Sequence, residues 1–207
     1  SKDEYDLIDY GIPKKNFKFI NEPLTNKLTN LDLIVYLLKS NKNININYLE
    51  IGTSVLKNFM VVNNSFNNFN LVAYDINPIT QKHKDKFNQG NEKASKLYKS
   101  KNLNNSLYYF HGDVLSEEDT NNFNDLLNFK YDFIYSDALH TKKAVESEFK
   151  NLVKNNLNSK FIIYYDDLDI KLTVPAVEPA VLNIFEELKE QFSDLNLYTF
   201  WIYGWIG

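Results

Sequence analysis

The spacing of apolar positions along this chain changes near residue 46. Before it, Leu31, Ile34, Val35, Leu37 and Leu38 fall at helical spacing, and Thr29 or Asn30 is placed to cap a helix over 29–39. Residues 1–25 carry Gly11, Pro13 and Pro23 and show no strong period. From residue 46 onward, short apolar runs alternate with longer helix-like stretches. The runs at 46–51, 71–74, 107–110, 133–135 and 161–165 predict strands, and 198–203 predicts a last one. The stretches at 55–65, 80–100, 116–128, 141–155 and 177–191 predict helices, the second broken near Gly90.

Strands alternating with helices imply parallel pairing through crossover units. The near-continuous apolar strands fit a sheet covered on both faces. The expected fold is therefore α/β: a doubly wound, mostly parallel Rossmann-like sheet with helices on both faces. No internal repeat or linker is visible, so 1–207 reads as a single domain, with a core at 46–203 and an N-terminal helical extension at 1–40. In such sheets ligands bind beyond the carboxyl ends of the strands, near the switch in strand order. The residues just after each strand are where chemistry is expected.

Composition narrows the partners. The chain is 43% hydrophobic and 15% aromatic, enough for a sizeable core. Its net charge is -4 and every basic residue is Lys, which weighs against nucleic-acid recognition by guanidinium forks. The absence of Cys excludes disulfides and thiol nucleophiles. No apolar run approaches the roughly 20 residues that span a bilayer, and the first ten residues are mostly polar and acidic. The expectation is an intracellular, cytoplasmic protein with no membrane or nucleic-acid partner. A start at Ser1 and an apolar end fit a domain of a longer multidomain chain as well as a small protein that has lost its Met.

Five strand ends carry candidate chemistry. The first is followed by Glu50-Ile51-Gly52-Thr53-Ser54, where a Gly lets the backbone approach a ligand and the next helix offers free N–H groups. No G-x-G-x-x-G fingerprint follows, which weakens a nicotinamide or flavin reading. The second is followed by Asp75, 23 residues past Gly52, placed to accept from ribose hydroxyls or to cap the next helix. The third is followed by His111-Gly112-Asp113-Val114, where Asp113 either meets an adenine amino group or serves a capping loop. The fourth ends in Ser136-Asp137-Ala138-Leu139-His140, and the fifth in Asp166-Asp167-Leu168-Asp169. If these strands pair, their acids converge, and a hard cation such as Mg²⁺ would offset the repulsion. The alternative is surface aspartates at helix caps. His83 lies in a Lys-rich stretch and is expected in solvent, and His111 is expected in a plain loop.

Glu-x-Gly, then Asp after the second strand, then Gly-Asp after the third, resembles the class I S-adenosylmethionine-dependent methyltransferases over about residues 46–203. Asp137-x-x-His140, with the pair Asp166-Asp167 beginning 29 residues after Asp137, is similar to the metal-dependent O-methyltransferases of the catechol and macrolide-sugar types, the latter more closely. The resemblance implies S-adenosyl-L-methionine and Mg²⁺, or a similar divalent cation, as cofactors. It implies a cofactor site from Glu50, Gly52, Thr53, Ser54, Asp75, Ile76, Asp113, Val114 and Asp137. It further implies metal ligation by Asp137, Asp166 and Asp167, with His140 as general base beside Asp137. Only Gly52 of the glycine-rich loop is kept, and Ala138 stands where the family has Gly.

The expected reaction is methyl transfer to a hydroxyl of a small molecule, most of all a sugar or glycan unit, with a homodimer as a candidate assembly. Tyr10, Phe17, Phe19 and Ile20 of the extension are candidate lining for an acceptor lid. Three other readings stand beside this one: a catechol or phenol O-methyltransferase, a non-catalytic module of this fold within a larger protein, and a nucleotide-dependent dehydrogenase or epimerase. The last needs a Tyr-x-x-x-Lys pair in a suitable helix, and none is found. For His140 the alternative is a residue that merely neighbours a helix cap.

Overall fold

The computed structural model describes residues 7–8, 12–13, 29–41, 45–54, 56–90, 96–100, 104–166, 168 and 177–199. Two short strands, β1 (Leu7–Ile8) and β2 (Ile12–Pro13), pair antiparallel apart from the main sheet. Helix α1 (Asn30–Ser40) follows. Thr29 and Asp32 form a reciprocal capping box at its start, and Ile34 and Leu38 are buried on one side.

The alternating region then runs β3 (Asn47–Ile51), α2 (Lys57–Ser65), β4 (Asn70–Asp75), α3 (Gln81–Lys84), β5 (Phe87–Gln89), β6 (Leu97–Ser100), β7 (Ser106–His111), α4 (Glu117–Leu126), β8 (Tyr131–Ser136), α5 (Lys142–Glu148), β9 (Leu157–Tyr165) and α6 (Glu178–Lys189). A π-helical turn, Phe149–Val153, prolongs α5. The seven-stranded sheet has the order β5-β6-β7-β4-β3-β8-β9. β7, β4, β3, β8 and β9 are parallel, and β5 and β6 join antiparallel at the β7 edge.

Successive strand residues point to opposite faces, and each face has its own core. Leu49, Ile51, Val72, Tyr74, Phe110 and Ile134 pack with residues of α4, α5 and α6. Tyr48, Leu71, Ala73, Tyr109, Phe133 and Tyr135 pack with residues of α1 and α2. The expected doubly wound, mostly parallel sheet is thus the observed one.

One expected element differs. The helix expected over 80–100 is a single short helical turn followed by strands β5 and β6. The stretch is polar and Lys-rich, which suits a helix by propensity alone. Phe87 and Leu97, however, are buried in the two separate cores, and the backbone pairs with the free edge of β7. Tertiary burial and edge pairing therefore override propensity. His83, expected in solvent, is 4% exposed. Of the strand expected over 198–203, Tyr198 and Thr199 are not in a strand, and the rest lies outside the described residues, as do Tyr10, Phe17, Phe19 and Ile20.

Candidate active site

The chain runs outward from β3 through β4 to β7, then returns to place β8 on the other side of β3. The crevice of a doubly wound sheet opens at that reversal. Ladder bonding continues past the strand ends, which holds the loops in register. Gly52 donates to the Tyr74 carbonyl (2.8 Å), Asp137 to that of Ile51 (2.8 Å), Gly112 to that of Asp75 (2.9 Å) and Asp166 to that of Ser136 (3.0 Å).

Gly52 has φ +84°, and a Cβ there would lie 2.2 Å from the Asp137 carbonyl oxygen. Only glycine fits, because the loops after β3 and β8 touch at this point. Beyond it, Ser54 and Leu56 also take left-handed backbone conformations. The Ser54 N–H donates to Asp75 Oδ2 (2.7 Å), and the Thr53 hydroxyl lies 3.4 Å from the same oxygen. Asp75 Oδ1 accepts from the Asn77 N–H (2.8 Å) and side-chain amide (3.1 Å). Asp75 therefore joins the loop after β3 to the turn after β4.

Glu50 lies behind this surface. It is 1% exposed, and the Tyr48 hydroxyl donates to its Oε2 (2.6 Å). Burial pushes its carboxyl up to about 8, against the hydrogen bond from Tyr48. Asp113 Oδ1 accepts from the Leu115 N–H (2.8 Å), and the Asp113 N–H donates to Asp119 Oδ2 (2.9 Å). Val114 is buried, whereas Ile76, Leu115 and Leu139 are exposed after β4, β7 and β8. Three large apolar side chains thus stand along one end of the sheet.

The loops after β8 and β9 bring the expected acids together. The Tyr135 hydroxyl donates to Asp166 Oδ2 (2.7 Å) and lies 3.2 Å from Asp137 Oδ2. The Asn30 side-chain amide donates to the same Asp166 oxygen (2.6 Å). His140 Nε2 lies 3.3 Å from Asp137 Oδ1. Asp167 lies outside the described residues, among which no group of three or more His, Asp or Glu is placed to hold a metal. Two carboxylates linked through one hydroxyl form an oxygen donor set that suits a hard cation.

Behind Asp137, the Ser136 hydroxyl donates to Glu148, which is 1% exposed. Burial pushes that carboxyl up to about 8, while the Ser136 hydrogen bond and the nearby His140 act the other way. A hollow lined by Met60, Asn63, Asp85, Phe87 and Ser100 lies toward the opposite, amino ends of the strands, away from these groups.

Asn30, Tyr135, Tyr164, Ser136 and Glu148 were not among the expected site residues. Tyr135 had a signal, since it lies on β8 two residues before Asp137. Asn30 had none, because it meets Asp166 only through the tertiary fold.

The order of the five parallel strands, β7-β4-β3-β8-β9, with helices on both faces, is that of the class I methyltransferase fold. A crystal structure from Staphylococcus aureus, provisionally named a caffeoyl-CoA O-methyltransferase, is similar over 86% of this chain and 80% of its own, with TM-score 0.52 and 22% identity. A structure of MNMC2 from Aquifex aeolicus matches 77% of this chain and 52% of its own, with TM-score 0.45 and 15% identity. No family model and no curated protein matches the chain.

Proposed function

We propose that the protein is an S-adenosylmethionine-dependent O-methyltransferase assisted by a divalent cation, acting on a hydroxyl of a small molecule such as a sugar. The observation that carries this reading is the convergence of Asp137 and Asp166 on the Tyr135 hydroxyl, with His140 beside Asp137. The provisional name of the Staphylococcus aureus protein agrees with O-methyl transfer.

On this reading the loop after β3 and Asp75 hold the ribose and methionine parts of the cofactor, and Ile76, Asp113 and Val114 border the adenine. Asp137, Asp166 and Asp167 hold the cation, whose charge lowers the pKa of an adjacent hydroxyl. His140, 3.3 Å from Asp137 Oδ1, takes the acceptor proton. The acceptor oxygen forms a bond to the methyl carbon as the carbon–sulfur bond breaks, leaving S-adenosylhomocysteine. The exposed Leu139, next to His140, offers an apolar contact for one face of the acceptor.

A second reading, a non-catalytic module of the same fold, draws on Asp75, whose two oxygens already accept from Ser54 and Asn77. Calorimetric titration with S-adenosylhomocysteine, with and without Mg²⁺, separates the two. The proposal expects binding of both, with Asp137→Ala and Asp166→Ala losing the Mg²⁺ heat and the turnover but keeping S-adenosylhomocysteine affinity. Absence of S-adenosylhomocysteine binding favours the module, and unchanged turnover in both variants removes the cation from the mechanism.

A further inference from the structure

We infer that helix α1 belongs to the catalytic end of the molecule: Asn30, aligned by Tyr164, acts with Tyr135 as a positioning residue that orients the Asp166 carboxylate for the divalent cation. The inference rests on the function proposed above and extends it to residues of the N-terminal extension.

Tyr135 of β8 and Tyr164 of β9 are register partners. Their rings lie on the same face of the sheet, 5.4 Å apart at an interplanar angle of 37°. Both hydroxyls reach toward the strand ends and act on one carboxylate by different routes. Tyr135 donates directly to Asp166 Oδ2 at 2.7 Å. Tyr164 donates to Asn30 Oδ1 at 2.8 Å, and Asn30 Nδ2 donates onward to Asp166 Oδ2 at 2.6 Å. An amide has one accepting and one donating end, so this pair of bonds fixes its orientation. Flipping it would set its oxygen against the carboxylate and its NH₂ against the tyrosine hydroxyl.

The donors converge on Oδ2 of Asp166, which fixes the plane of the carboxyl group. The Tyr135 hydroxyl also lies 3.2 Å from Asp137 Oδ2, so the placement of one acid is tied to that of the other. Asn30 is itself held. It occupies the first turn of α1, within the Thr29–Asp32 capping box, and α1 is anchored by the buried Ile34 and Leu38. The sequence separation between Asn30 and Asp166 is 136 residues, so local chain geometry does not bring them together. Carboxylates that bind metals are in turn held by hydrogen bonds, and loss of such a partner typically lowers metal affinity about 10- to 100-fold.

The test is Mn²⁺ titration of the whole chain, by calorimetry and by loss of the free-ion paramagnetic resonance signal, in the presence of S-adenosylhomocysteine. Asn30→Ala and Tyr135→Phe are expected to weaken Mn²⁺ binding on the order of 10-fold or more. Tyr164→Phe removes the bond that aligns the Asn30 amide and leaves the direct Tyr135 bond to Asp166 in place, so a smaller loss of roughly 2- to 10-fold is expected. S-adenosylhomocysteine affinity should hold in all three, with unfolding midpoints within about 5 °C of wild type. Wild-type Mn²⁺ affinity in both Asn30→Ala and Tyr135→Phe would overturn the inference and leave the proposed function standing. A loss that appears only together with a lower midpoint and weaker S-adenosylhomocysteine binding would overturn it as well. No Mn²⁺ binding by the wild type would remove the cation from the proposed function and this inference with it.

Discussion

Replacing Glu148 by Gln should make the protein more stable at neutral pH, by an amount that depends on pH. Glu148 is buried in α5 and accepts from Ser136. Burial holds its carboxyl at about 8, against 4.5 for an ordinary glutamate. At pH 7 the folded protein keeps a proton there that the unfolded chain has released. Each pH unit between the two values is about 1.4 kcal/mol, so folding is disfavoured by roughly 3 kcal/mol at pH 7 relative to pH 4.5. Stability from this group is complete below pH 4.5, falls as the pH rises, and levels off above about 8. Gln stays neutral throughout and keeps an oxygen for the Ser136 hydroxyl. Urea unfolding of wild type and Glu148→Gln between pH 4.5 and 8.5 is the assay. The two should agree at the acid end, with the variant ahead by about 3 kcal/mol at pH 7 and more at pH 8. Glu50 is raised in the same direction but is present in both proteins, so it cancels in the difference. A difference that stays constant across the range would refute the reasoning.

Two further substitutions probe the loops. Gly52→Ala should lower stability by about 3 kcal/mol or more, since its Cβ would meet the Asp137 carbonyl at 2.2 Å from a left-handed backbone; thermal unfolding reads this directly. A fall of less than about 1 kcal/mol would mean that the loops after β3 and β8 yield easily. His140→Ala should slow turnover by about 10²- to 10⁴-fold at unchanged S-adenosylhomocysteine affinity, whereas a loss of only about threefold would assign it a structural role.

The strands of the parallel sheet were legible because each is an apolar run bounded by polar turns, a signal that survives without any tertiary information. The acids were legible for a related reason: Asp75 ends β4, Asp137 and Asp166 directly follow β8 and β9, and Asp113 lies two residues past β7, so a parallel sheet delivers them to one end. Residues 80–100 were misread because Lys, Gln and Glu favour helix locally, whereas Phe87 and Leu97 are placed by cores assembled from distant segments. The parts of the site that sequence did not show are the neutral ones. Tyr48, Tyr135, Tyr164 and Asn30 look like ordinary core and cap residues until the tertiary fold sets the Tyr48 and Tyr135 hydroxyls and the Asn30 amide against carboxylates, and the Tyr164 hydroxyl against that amide. Glu148 shows the same gap from the other side: a glutamate on a helix reads as solvent-facing, and only the packing of α5 buries it beneath Ser136.

The antiparallel pair β5–β6 has a consequence for the edge that the folding sheet presents to other chains. A parallel sheet ending at β7 would expose a six-residue ribbon of unpaired peptide groups, rich in aromatic side chains, to any second copy during folding. The β6 strand covers that ribbon, and the new border is only three residues long and carries exposed Asn88 and Gln89. Because β6 and β7 are close in sequence, the cover forms by short-range closure and can be in place before the slower crossover pairings of β8 and β9. Shielding of the growing sheet against intermolecular strand addition is thereby built into the order of the chain.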